Sequence, residues 1–312
     1  MRTSLLLVAV VVSGCGGNWS NSDLVFTNAL PRSVDLKSNI PASASGSPLT
    51  GVATRRDGLM VGDASNAWAL SKGAAKDFNG IVDALLGIVD QVRKVAPTSR
   101  TATSRTWGPF PDANNTGREV QVVIERVDET SFAWRVESRA TGAAFIKVVI
   151  GDFLASDSAT ARIGQGHITV PVKDFRDVVK VDPKIAALDA IDIAYDTSAW
   201  PHQVEIQFTA APNNTSGLSA LGYTSKLFED GSGSMRFLST STDPNVTQLE
   251  ITTGWKATGN GRGFGVVRAG NYTGANVTEC WGTSQTVVYY SESWTGGTTS
   301  GSPGDCVTLP GF

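Results

Sequence analysis

The sequence predicts an α+β fold, mostly β: a curved antiparallel sheet, shaped as a half-barrel, a barrel or two layers, with one long amphipathic helix packed on it and one short helix. Three observations predict it. Charged residues fill 18% of the 312 positions and hydrophobic ones 41%, with 33 Gly, a charge-poor, turn-rich composition that suits a β-rich exported chain. A single stretch repeats its apolar residues every three or four positions, and after Thr106 the repeat becomes two.

The chain opens with Arg2 and an apolar run from Leu5 to Val12. That run is far shorter than the ~20 residues a membrane-spanning helix needs, so residues 1–14 read as a signal peptide. Val12-Ser13-Gly14-Cys15 resembles the bacterial lipobox, and the resemblance implies that Cys15 is acylated and becomes the first residue of the mature protein. Each buried acyl CH₂ contributes about 0.8 kcal/mol, so two or three chains hold a protein on a membrane durably. Gly16 follows where Asp would retain the protein at the inner membrane, so the expected address is the outer membrane, facing periplasm or cell surface. Residues 15–63 read as a lipidated tether of low complexity, as in Pro41-Ala42-Ser43-Ala44-Ser45-Gly46-Ser47-Pro48. Part of it, carrying Phe26, Leu30, Val34 and Leu36, is expected to dock as an outer strand or loop.

Residues 64–312 read as one β-rich domain. Between Ser65 and Ala96, Phe78, Ile81, Val82, Leu85, Ile88, Val89 and Val92 form one apolar face, and Pro97 ends the helix. Gly73, Gly80 and Gly87 make a strip without side chains, expected to pack tightly on a sheet or to admit a strand or lipid chain. About ten strand-like runs follow, among them Glu119 to Val127, Phe145 to Leu154, Ala161 to Val170, Gln248 to Trp255 and Thr286 to Ser291, separated by turns such as Glu229-Asp230-Gly231-Ser232-Gly233. Asp174 to Leu188 suits a short helix that Pro183 interrupts. Cys280 and Cys306, in a chain sent to an oxidising compartment, are expected to form a disulfide that pins the C-terminal tail. Closing that loop of about 27 residues contributes about 3.5 kcal/mol in the chain-entropy account.

Candidate chemistry is sparse. The net charge of -3 gives nucleic acid and anionic lipid headgroups nothing to hold. His167 and His202 are isolated and read as solvated or satisfied by backbone. No G-x-S-x-G elbow, H-E-x-x-H or Walker loop occurs. Asp243-Pro244-Asn245-Val246-Thr247 with Glu250 lacks the central Gly and the length of a Ca²⁺ loop and reads as a loop cap. Neither a metal site nor a cofactor is expected. About seven Asn-X-Ser/Thr sequons, including those at Asn18, Asn114, Asn245, Asn271 and Asn276, read as an Asn/Thr-rich surface. The eight Trp fit the core of a wide curved sheet, with an aromatic groove for sugars or acyl chains as the alternative.

Four patterns in order, Phe26-Thr27-Asn28-Ala29-Leu30-Pro31, Trp107-Gly108-Pro109-Phe110, Ala257-Thr258-Gly259-Asn260-Gly261-Arg262-Gly263 and Glu279-Cys280-Trp281 followed by Tyr289-Tyr290, resemble uncharacterised outer-surface lipoproteins of myxobacteria. The resemblance implies compartment and topology, and no activity. The expectation is a non-enzymatic cell-envelope lipoprotein, with a binding module for a hydrophobic or saccharide ligand as its sharper form. Its alternatives are a structural or adhesive surface protein and a hydrolase with an unrecognised acidic pair.

Overall fold

The computed structural model describes residues 19–41, 59–181, 183–210, 222–294 and 296–310. The signal peptide and Cys15 lie outside the described residues. The segment expected to dock as a strand or loop is helical instead: α1 spans Asn21–Asn28 and α2 spans Ser33–Leu36. The reason is local, because Ser20 N–H bonds the Asp23 carboxylate at 3.0 Å across the first turn of α1, a carboxylate at the positive end of the helix. Phe26, Leu30 and Leu36 are buried as expected, whereas Val34 is exposed.

The long helix α3 spans Asn66–Val92. Its buried stripe is Phe78, Val82, Leu85, Leu86, Ile88, Val89 and Val92, and Ile81 is half-buried, so the face is rotated slightly from the one expected. A Cβ added to Gly73, Gly80 or Gly87 would meet no atom within 4 Å. The glycine strip therefore faces open space among the described residues and is not packed on the sheet.

The described chain gathers into two compact units, one from within Met1–Lys37 and Asn79–Leu218, the other from within Ser38–Phe78 and Ser219–Phe312. In the first, β1 (Ser99–Arg100), β2 (Ser104–Pro111), β3 (Arg118–Arg126), β4 (Ser131–Ala140), β5 (Ile146–Ala155), β6 (Gly164–Val170), β7 (Leu188–Asp196) and β8 (His202–Ala210) pair antiparallel in chain order. In the second, β9 (Gly222–Leu227), β10 (Gly233–Thr240), β11 (Gln248–Trp255), β12 (Gly261–Ala269), β13 (Asn276–Trp281), β14 (Val287–Glu292) and β15 (Thr299–Gly301) do the same. Among the described residues the first strand of each set does not pair with its last, so the sheet is open. The short helix expected over Asp174 to Leu188 is instead two single turns, α4 (Val172–Phe175), which starts two residues earlier, and α5 (Pro183–Ala186). Pro183 opens the second turn, where its missing N–H costs nothing.

Five of the eight tryptophans, Trp68, Trp107, Trp134, Trp255 and Trp281, occupy the core, whereas Trp19 and Trp200 are exposed. Trp107, Trp134, Trp255 and Trp281 are at most 1% exposed. Three of them share a device: Trp134 stands directly across from Gly151, Trp255 from Gly233, and Trp281 from Gly261. In each case the ring lies where the glycine's Cβ would be, and at Gly233 that Cβ would sit 2.6 Å from Trp255 Cζ2. Glycine in a strand forgoes its own packing, and the cross-strand ring fills the gap.

Candidate functional site

Strand alternation sends one set of side chains from β5 to β8 inward and the other to solvent. Inward go Val149, Phe153, Ile168, Val170, Ile191, Ile193, Tyr195, Val204 and Ile206, all buried. The outward set falls into rows, because register pairs each residue with one on the next strand. One row is Asp152, His167, Ala194 and Glu205; the next is Leu154, Gln165, Asp196 and Gln203; a third is Ile150, Thr169, Asp192 and Gln207. The first two rows, His167 excepted, line an open cleft of about 410 Å³ together with Gly166 and Tyr195. A bulge at Leu188 to Ala190 in β7 adds local twist beside it.

The cleft holds three carboxylates, two carboxamides and the small apolar surfaces of Leu154 and Ala194. Asp196 accepts from Ser198 N–H at 2.8 Å and from the Ser198 hydroxyl at 2.5 Å. Glu205 accepts from the Gln207 amide at 2.7 Å. The side chains of Asp152, Gln165 and Gln203 make no hydrogen bond to another described residue. Beside the cleft, Thr169 donates to Asp192 at 2.8 Å, and His167 Nε2 lies 3.8 Å from the same carboxylate. The nearest row toward β4 carries Arg135, whose guanidinium is held by Glu125 at 2.9 Å and Glu137 at 2.8 Å. Carboxylates and amides with unspent lone pairs and N–H groups, set around a small apolar floor, suit a ligand dense in hydroxyls.

The residues singled out in the sequence stand elsewhere. Cys280 and Cys306 are bonded, with Cα atoms 5.3 Å apart. His202 stacks on Trp200, ring centroids 3.7 Å apart and planes 8° from parallel, and burial pushes its pKa down. Asp243 Oδ1 accepts from Asn245 N–H at 2.9 Å, a loop cap, while Glu250 is held between Arg236 at 2.6 Å and Arg268 at 2.9 Å. Among the described residues no group of three or more His, Cys, Asp and Glu is arranged to hold a metal ion, and no helix is long and apolar enough to cross a membrane. Asp152, Gln165, Asp196, Gln203 and Glu205 were not singled out in the sequence. Their signal was there, in the polar alternate positions of four successive strands, but only register brings those positions side by side. No family model, curated protein or solved structure matches the chain.

Proposed function

We propose that this chain is a bacterial cell-envelope lipoprotein, anchored at the outer membrane through acylated Cys15, that binds a saccharide on the outward face of β5–β8. The observation that carries the reading is the cleft of about 410 Å³ whose Asp152, Gln165 and Gln203 side chains have unspent hydrogen-bonding groups. A hydrophobic ligand is less well served, because Trp107, Trp134, Trp255 and Trp281 are consumed in the core. The lipobox-like run before Cys15 supports the anchor.

Two measurements test the two halves. In detergent phase separation the wild type enters the detergent phase, and Cys15→Ala stays aqueous or unprocessed; equal partition of both ends the anchored reading. On a glycan array the mature chain retains at least one saccharide, and retention of none ends the binding reading. A hydrolase is the second reading, favoured by one observation. Asp196 and Glu205 are diagonal neighbours across β7 and β8, a placement that sets residues about 7–8 Å apart, within the range of glycosidase acid pairs. New reducing ends on the retained glycan would convert binder to enzyme.

A further inference from the structure

In the second unit a carboxylate is buried against the start of α3. Glu279 on β13 is 4% exposed. Its Oε1 accepts the Ser65 hydroxyl at 2.5 Å and the Ala67 N–H at 3.1 Å. Ser65 Oγ in turn accepts the Trp68 N–H at 3.0 Å as an N-cap, while the Ala67 N–H, another free donor of the first helical turn, is satisfied by Glu279 of the sheet. Gly263, directly across from Glu279 in register, makes the approach possible, because a Cβ there would come within 2.8 Å of Ala67 Cβ. The chain before the helix is fastened to the same place. Gly62 N–H bonds Val287 O at 2.9 Å, Val287 N–H bonds Asp63 O at 2.8 Å, and Ser65 N–H bonds Gln285 O at 3.0 Å. Leu59 packs with Val287 and Tyr290. Residues 59–65 thus form a strap that ends on Glu279.

We propose that Glu279 is a pH-sensitive latch, holding the strap and the first turn of α3 on the sheet while its carboxyl is neutral and loosening both as it ionises. Among the described residues, the groups that face it from the elements packed around it offer no countercharge. Across β14 stand Tyr290, its partner in register, and Glu292, which accepts the Tyr290 hydroxyl at 2.8 Å. The strap contributes Asp63, and the helix start contributes Ser65, Asn66 and Ala67. Arg262, next to Gly263 on β12, projects to the opposite face by strand alternation, and Lys72 lies over the Trp68 ring at 4.6 Å. Burial pushes the Glu279 carboxyl up to about 7, against hydrogen bonds from Ser65, Ala67 and Asn66 that favour the anion. Tyr290, raised by burial and by its bond to Glu292, stays neutral through this range.

The sign follows from linkage. A carboxyl at about 7 when seated and near 4.5 when released stabilises the seated state fully below 4.5, and that stabilisation is lost as pH rises through 7. Between pH 5.5 and 8.5 the opening equilibrium of the latch rises about thirtyfold. Hydrogen exchange read by mass spectrometry on the mature full-length protein, corrected for intrinsic rates, tests this. Peptides covering residues 59–68 should lose about thirtyfold protection between the two pH values, while those from β3 and β4 hold theirs. In Glu279→Gln the dependence should vanish. An unchanged wild type, or a Gln variant that keeps the dependence, overturns the latch. Should the Gln variant fail to fold, carbon-13 titration of the Glu279 carboxyl in the wild type decides alone: a midpoint near neutrality supports the latch and one below 5 overturns it.

Discussion

A single buried acid shows how polar chemistry is seated in the first unit. Asp23 is fully buried on α1 and meets Arg105 at 2.6 Å and Arg100 at 3.2 Å. Burial works against its ionisation, but hydrogen bonds from Ser20, Arg105 and Arg100 outweigh it and hold its carboxyl down to about 2. Arg105 is itself 5% exposed and lies over the Phe26 ring at 4.2 Å. Removing one partner of a buried pair leaves the other charge uncompensated, so Asp23→Ala should cost about 3–5 kcal/mol in chemical denaturation. Because the carboxyl is depressed, its stabilisation is present above the unfolded value of 3.8 and is lost as pH falls toward 2. The wild type should therefore lose stability over that acid window, and Asp23→Ala should lose less there. Equal acid slopes for the two proteins would show that the pair does not govern acid unfolding.

At the scale of elements, the helix was legible and its neighbours less so. Apolar spacing placed α3 within a few residues of Asn66–Val92, because a long period-3.6 pattern has many positions to average over. β2 was missed because Pro109 interrupts its alternation; the strand tolerates it at a register shift between Trp107 and Phe110, where proline costs no ladder bond. β1 and β15, two and three residues long, are too short to show a period. α1 and α2 were hidden by the polar composition around them. The cleft was legible only as polar alternate positions, since its residues come from four strands, spread from Asp152 to Glu205, and meet only through register. Burial assigns α3 a clear test. Leu86 is fully buried, and truncating such a residue to Ala typically costs about 2–5 kcal/mol. Leu86→Ala should thus lower the melting temperature sharply, whereas the exposed Lys76→Ala should shift stability by no more than about 0.5 kcal/mol. Matching melting temperatures for the two variants would mean that the helix contributes little to folding.

At the scale of the whole molecule, the C-terminal tail is fastened differently from the sheet. The C-terminal tail carries a 3₁₀ turn at Pro303–Asp305 with no buried residue, so little besides Leu309, 7% exposed, and the Cys280–Cys306 bond holds it. Thiol labelling of the denatured, unreduced protein should modify neither cysteine. Labelling of both would transfer the fastening of the tail to Leu309. The sheet's two faces differ in chemistry: tryptophan rings lie over glycines on the inward one, and the outward face of β5–β8 leaves amides and carboxylates exposed to solvent. In the proposed function the outward cleft is where the saccharide binds. The most direct measurement is a calorimetric titration of wild type and the double variant Gln165→Ala, Gln203→Ala with the saccharide retained best on the array. Loss of two neutral hydrogen-bonding side chains should weaken binding at least about tenfold, equivalent to about 1.4 kcal/mol, with the melting temperature unchanged. Equal affinity of the two proteins would contradict the assignment of the cleft.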